Sequence, residues 1–281
     1  MAPRSGCVRE ELIYEAAEYL GRPFNETAGL VDRSADGFPD EWRRTVTDPE
    51  DPAQVTRFYN ESQFGLFEQI AWHAGEDIHH RSFVCADLVA GRPGRDFLDY
   101  GSGIGSNAIV FGLAGFRGTL ADIADPLLGF ARWRCERRGI AVRTIDLKRQ
   151  SLERDRYDVI SCFDVLEHIP RPLGALGNVS RALRPGGIFF LYAPVGYDPD
   201  RPQHVVHDDA FMRRIRSLGF QFRTDCADAF PAYIRPPSVY ERVPRSFIAN
   251  VGYYLRDVWL SGRTGDVIAR RWKNVSGAAA Q

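Results

Sequence analysis

Between residues 95 and about 224 the chain alternates short apolar runs with helix-patterned stretches, and this alternation restricts the fold more than any other feature. The apolar runs are Asp96–Tyr100, Gly118–Asp122, Ala141–Asp146, Tyr157–Cys162, Ile188–Ala193 and Phe220–Thr224. Helical spacing recurs over about 105–115, 125–138, 172–184 and 207–218. Strands that alternate with helices pair in parallel through right-handed crossovers, so the expected fold class is α/β with a doubly wound, mostly parallel sheet. Pro185-Gly186-Gly187 marks a turn between a helix and a buried strand.

The first of these strands runs into Phe97-Leu98-Asp99-Tyr100-Gly101-Ser102-Gly103-Ile104-Gly105. Glycines at this spacing let the backbone turn sharply and let a ligand lie against the main chain. A dinucleotide site is one reading. Its fingerprint is G-x-G-x-x-G, however, and position 106 is Ser. Asp99 also argues against it, because a carboxylate repels a pyrophosphate but attracts a ligand that carries an ammonium and a sulfonium.

With these residues in place, the sequence resembles the class I S-adenosylmethionine-dependent methyltransferases of the small-molecule type. The resemblance covers about residues 95 to 224, with a tail to 272. Asp99 to Gly105 looks like the family's first motif, which assigns Asp99, Gly101, Ser102, Gly103 and Gly105 to the cofactor. Asp122 sits where the family places its ribose-binding acid, followed by Ile123; the other reading of Asp122 is a cap on the helix that begins near Asp125. Asp146-Leu147 matches the position that contacts adenine, against a plain surface acid. Tyr157 to Ile169 resembles the fourth strand with a D-x-x-E-H ending, which brings in Phe163, Asp164, Glu167 and His168. Leu183 to Gly187, then His204 to His207 with Ser217 to Phe220, resemble the later landmarks. The resemblance implies a Rossmann-like sheet of about seven strands with the last antiparallel, and S-adenosylmethionine as cofactor with S-adenosylhomocysteine as product.

Methyl transfer is an in-line displacement, and a base is needed only where the acceptor is protonated at neutral pH. His204, His207 and His168 are therefore the catalytic candidates. His204 and His207, followed by Asp208 and Asp209, leave three readings open: a carboxylate-oriented base, a metal set, or a helix start. The sequence reading takes no resident metal. The expected function is methylation of a small metabolite or natural product at O, N or C. The alternatives are a non-catalytic protein that binds the cofactor or its product, and a non-methylating enzyme on the same fold.

Residues 1–94 read as a helical cap or lid. Val8 to Leu20 has helical spacing, 33–52 looks like a loop, Pro52 to Ala74 reads as one aromatic amphipathic helix, and Asp77 to Val89 as another. Tyr59 is the cap residue expected to reach the cofactor, as relatives' N-terminal helices do; the other reading of this aromatic stripe is core. The domain proper is expected over 95–272, with a helical insertion at about 226–262 that includes Ser246 to Leu260. A last strand is expected at Asp266 to Trp272, and a frayed tail at 273–281.

The formal net charge of −1 gives no basis for nucleic-acid attraction. The arginines at 132, 134, 137 and 138 read as a solvated helix face. Five scattered cysteines without C-x-x-C argue against a disulfide framework or a zinc site. With no signal peptide at the N-terminus and no apolar run of about 18 residues, the expected setting is cytoplasmic, off the membrane. The expected partner is a small-molecule substrate, with no nucleic acid; a homodimer is left open.

Overall fold

The computed structural model describes residues 8–193, 198, 200–205, 214–215 and 217–243. Seven strands form one sheet: β1 (Asp96–Tyr100), β2 (Arg117–Asp122), β3 (Val142–Asp146), β4 (Tyr157–Phe163), β5 (Leu183–Tyr192), β6 (Phe220–Phe222) and β7 (Ser238–Arg242), in the order β3-β2-β1-β4-β5-β7-β6. The pairs among β3, β2, β1, β4 and β5 are parallel, and β7 runs antiparallel to both β5 and β6. The α/β doubly wound fold with an antiparallel final strand is as expected. The central strand β1 is buried at every position, whereas edge strand β3 exposes Arg143 and Thr144. That contrast follows from where each strand sits: helices cover both faces of the centre, while an edge is wetted.

Alternate strand residues supply two cores. Phe97, Leu120, Val159 and Phe190 face one side, where they meet α5 (Glu76–Ala90), α6 (Ser106–Leu113) and α7 (Asp125–Arg137). Leu98, Ala121, Ile160 and Phe189 face the other, against α8 (Pro172–Ala182). The period of two is the strand pleat read directly as burial. Phe97 stacks on Phe111 with ring centroids 3.9 Å apart, which fixes α6 over β1 and so aims its N-terminus at the glycine turn.

Ahead of the sheet lie α1 (Val8–Leu20), α2 (Phe24–Thr45), α3 (Pro52–Glu61) and α4 (Gly65–His73). Residues 33–45, expected as part of a loop, are helix. Val31, Ser34, Phe38 and Trp42 form a buried stripe at helical spacing, and burial of that stripe outweighs the poor propensity of the Asp and Gly residues between them. Gly37 has a packing reason: a Cβ there would lie 2.7 Å from the Phe64 ring. The stretch from Pro52 to Ala74 is two helices, not one. Ser62 breaks it: its Oγ accepts from Phe64 N (3.2 Å) and Gly65 N (3.0 Å) and donates to Glu41 at 2.6 Å. At the start of α3, Asp51 accepts from Ala53 N and Pro52 takes the first turn.

The expected helical insertion at about 226–262 contains strand β7, because Val239 and Tyr240 are buried in the ladder beside β5. The helix expected at Ser246 to Leu260, the strand expected at Asp266 to Trp272, the tail at 273–281 and His207 lie outside the described residues. Among the described residues no helix is long and apolar enough to cross a membrane.

Candidate active site

The chain turns at the end of β1 through three glycines with positive φ: Gly101 (71°), Gly103 (49°) and Gly105 (78°). Side chains rarely adopt that backbone, and space is also short. A Cβ on Gly101 would collide with Val165, and one on Gly105 would lie 2.9 Å from the Ala131 Cβ. The turn is tied to β2 at two levels. Gly101 N donates to Ala121 O (2.8 Å), and Gly103 N donates to Asp122 Oδ2 (2.9 Å). The other Asp122 oxygen accepts from Ile123 N (2.7 Å) and Ala124 N (3.0 Å). Asp122 is buried, and burial raises its proton affinity while these backbone donors lower it.

A cleft of about 320 Å³ opens over this turn, at the carboxyl ends of β1, β2 and β4. Tyr100, Gly101, Gly103 and Asp122 form its floor, and Ile123, Leu127, Leu147 and Val165 an apolar slot beside them. Phe38, Val55 and Tyr59 reach it from α2 and α3. Asn60 fastens α3 to the chain after β2: its Nδ2 donates to Ile123 O (2.9 Å) and its Oδ1 accepts from Asp125 N (3.1 Å).

A second, inner chamber of about 50 Å³ adjoins the cleft and shares Glu68, Gln69, Gly101, Asp164 and His168 with it. Ser102, Phe163, Glu167 and His204 also line it. Its walls come from distant stretches. Glu68, Gln69 and Trp72 come from α4; Asp164, in a positive-φ conformation (54°), ends β4; Arg201 and His204 follow β5. Val205 N donates to Glu167 O at 2.6 Å, which seats His204 beside His168 with ring centroids 4.8 Å apart. The Tyr59 hydroxyl and His168 Nδ1 share a 2.9 Å hydrogen bond. Burial, then the His204 ring, pushes His168 down to about 3. Burial, then Arg201, pushes His204 down to about 4, so both imidazoles are neutral at neutral pH. Burial and the neighbouring Asp164 push Glu167 up to about 8.

The structure brings most of the sequence-derived residues together. Gly101, Gly103, Asp122, Ile123, Leu147 and Tyr59 line the cleft, Ser102, Phe163 and His204 the chamber, and Asp164 and His168 both. Gly105 shapes the turn from behind. Asp99 lies beneath the loop with no exposed surface and lines neither space. Its Oδ1 accepts from Asn107 (3.0 Å) and Ser161 (2.7 Å), and its Oδ2 is buried without a partner. Burial, partly offset by those two donors, pushes it up to about 7. Asp146 does not line the cleft. Lys148 engages it at 2.9 Å while donating to Ile123 O (2.6 Å) and Asp125 (2.7 Å), and Leu147 supplies the wall instead. Glu68, Gln69 and Arg201 were not foreseen. Polar residues on the far side of an apolar helix stripe look in sequence like a solvated face.

An open α/β sheet with a glycine turn and a ligand cleft at its strand ends defines a cofactor-binding domain of the nucleotide type. Within that class, the family profile of a methyltransferase domain matches residues 78–223, just over half of the chain, and the chain belongs to this family of S-adenosylmethionine-dependent methyltransferases. The ubiquinone biosynthesis O-methyltransferase of Xanthomonas campestris pv. campestris is 28% identical over 155 residues, which is 50% of this chain and 64% of that protein. The Pseudomonas aeruginosa protein of the same name is 32% identical over 118 residues, 41% of this chain and 51% of its own length. The chain thus spans between half and two thirds of these two curated relatives. A solved S-adenosylmethionine-dependent methyltransferase from Leishmania major shares the fold, with a TM-score of 0.51 at 17% identity over 71% of this chain and 88% of that one.

The residues present fit the family's cofactor. Asp122 lines the cleft with carboxylate oxygens that can accept from a ribose diol, the slot at Ile123, Leu127 and Leu147 is apolar, and the glycine turn brings main chain to the cleft floor.

Proposed function

We propose that the chain transfers a methyl group from S-adenosylmethionine to a hydroxyl oxygen of a small acceptor that reaches the inner chamber from the cleft. One observation carries this reading: a neutral imidazole, His204, faces a chamber that opens directly into the cofactor cleft. When bound, S-adenosylmethionine supplies a methyl group activated by its sulfonium. Asp122 holds the ribose hydroxyls, and the glycine turn keeps water from the underside of the cleft. Tyr59, latched to His168, fixes the cap over the junction between the two spaces. As the new C–O bond forms and the C–S bond breaks, the hydroxyl proton passes to the His204 side of the chamber, and a neutral thioether is left. The names of the relatives support oxygen as the acceptor atom. A small, partly closed chamber supports a small molecule over a nucleic acid.

The test is methyl transfer to a panel of phenols and catechols by the purified full chain. The expected result is turnover with at least one acceptor, and a fall on the order of 100-fold in kcat for His204→Ala with S-adenosylhomocysteine affinity unchanged. Turnover equal to wild type in the variant removes His204 from the reaction.

A further inference from the structure

We propose that Arg134, held by Glu15 of α1, is a positioning residue for the glycine turn, so that docking of α1 and binding of the cofactor are energetically linked. The expectation from sequence was a solvated arginine face on α7. Arg132 is exposed and follows it, but Arg134 is 3% exposed and turns inward. Its Nε donates to Glu15 Oε2 at 2.8 Å, and its Nη1 donates to Ile104 O at 2.6 Å and to Ser106 Oγ at 3.2 Å. One guanidinium thus joins α1 to the two residues that flank Gly105. Its planar fork makes both connections at once, from different nitrogens. Glu15 is itself buried, and its other oxygen pairs with Arg138. Charges this deep depend on each other, because removing one leaves its partner buried and uncompensated.

A second observation ties the same helix to the same residue of the turn. The Ile104 side chain is fully buried in an apolar cluster with Leu12, Ile13 and Ala16 of α1. Ile104 is therefore held at both ends: its side chain packs against α1, and its carbonyl accepts from the arginine that α1 anchors. Ile104 directly follows Gly103, whose N–H donates to Asp122, so a shift at Ile104 is passed on to the candidate ribose acid. α1 lines neither the cleft nor the chamber, so its route to a bound cofactor runs through the turn. Arg134 lies within the stretch that matches the family profile, whereas Glu15 lies outside it. Linkage is reciprocal: a cofactor that needs the turn in place tightens α1, and a loosened α1 weakens the cofactor. The linkage rests on the assignment of the turn to S-adenosylmethionine; the clasp itself rests on the geometry.

The experiment joins calorimetric titration with S-adenosylhomocysteine to amide hydrogen exchange on the full chain, for wild type, Glu15→Gln and Arg134→Lys. The control is Val179→Ala, a cavity in the core on the other face of the sheet. Affinity should fall about tenfold in each clasp variant. It should change by less than about twofold in the control, which lowers stability far from the turn. Amides at 101–106 should exchange faster in both clasp variants before ligand is added, and not in the control. A pair that serves stability alone would lower the melting point and leave both of these readouts at wild-type values, which overturns the proposal. The wild type gives a test that needs no variant: S-adenosylhomocysteine should slow exchange in residues 8–20 by more than in β7, and equal protection of the two overturns the linkage. No binding by the folded wild type sinks the cofactor reading, whereas binding that is as tight in both clasp variants as in the wild type sinks the clasp alone.

Discussion

The outer cleft and the inner chamber adjoin, but they are made in different ways. The cleft is largely a backbone object: glycine φ angles, amides that converge on Asp122, and the ends of β1 and β2 held in register. Its floor comes from two short segments, the turn after β1 and the end of β2. The chamber is a side-chain object, assembled from α4, the end of β4 and the stretch after β5, which are far apart in sequence. A backbone cradle recognises the constant part of a family's chemistry and tolerates change around it. A side-chain chamber can be rebuilt for a new acceptor without disturbing the sheet.

Removing the hinge of the cradle should give the largest effect on this contrast. In Asp122→Ala, three backbone N–H groups lose their acceptor together with the candidate ribose contact. S-adenosylhomocysteine affinity should fall on the order of 100-fold or more by calorimetry, since each unmet buried donor costs about 1–3 kcal/mol. A fall in affinity of less than about threefold would mean that the cradle does not depend on this carboxylate.

Asp99→Asn sharpens the contrast through pH. The carboxyl titrates near 7 in the folded chain, raised by burial, and in the ordinary carboxylate range when unfolded. The folded form therefore holds its proton more tightly. Stability from this group is present at low pH and is lost as pH rises from about 4 to 7. Asn, which stays neutral, should leave stability little changed at pH 4 and raise it at pH 8 by roughly 2–4 kcal/mol, as read from denaturant midpoints. A variant that tracks the wild type at both pH values would place the charge elsewhere.

Asp146→Ala should have the smallest effect, under about threefold on S-adenosylhomocysteine affinity, because Lys148 and not the ligand cleft engages this carboxylate. A loss as large as that of Asp122→Ala would put Asp146 back at the adenine.

The same division explains what could be read from the sequence. The short apolar runs of β1 and β4 and the order of the glycine turn are local signals, and they located the sheet, the turn, Asp122 and the end of β4. Asp146 stands at the expected motif position, but position in a motif does not report that Lys148, two residues later, engages the carboxylate. Residues 33–45 looked like a loop because composition hid a stripe whose stability comes from tertiary burial of Phe38 and Trp42. Strand β7 was read as part of a helical segment, since its pairing with β5 is non-local. Glu68, Gln69 and Arg201 carry no local signal: only the packing of α4 and the post-β5 chain against the end of β4 turns them towards one chamber. Tyr59 was foreseen as a cap contact, but its hydrogen bond to His168 spans 109 positions and belongs to the fold.

The central claim is that cofactor binding and acceptor chemistry reside in separable halves of the site. Calorimetric titration of the full chain with S-adenosylhomocysteine, for wild type, Asp122→Ala and His204→Ala side by side, tests it most directly. The account predicts binding near or below about 100 μM, roughly −5.5 kcal/mol, for wild type and His204→Ala, and its loss in Asp122→Ala. No binding by the folded wild type, or equal losses in the two variants, would contradict it.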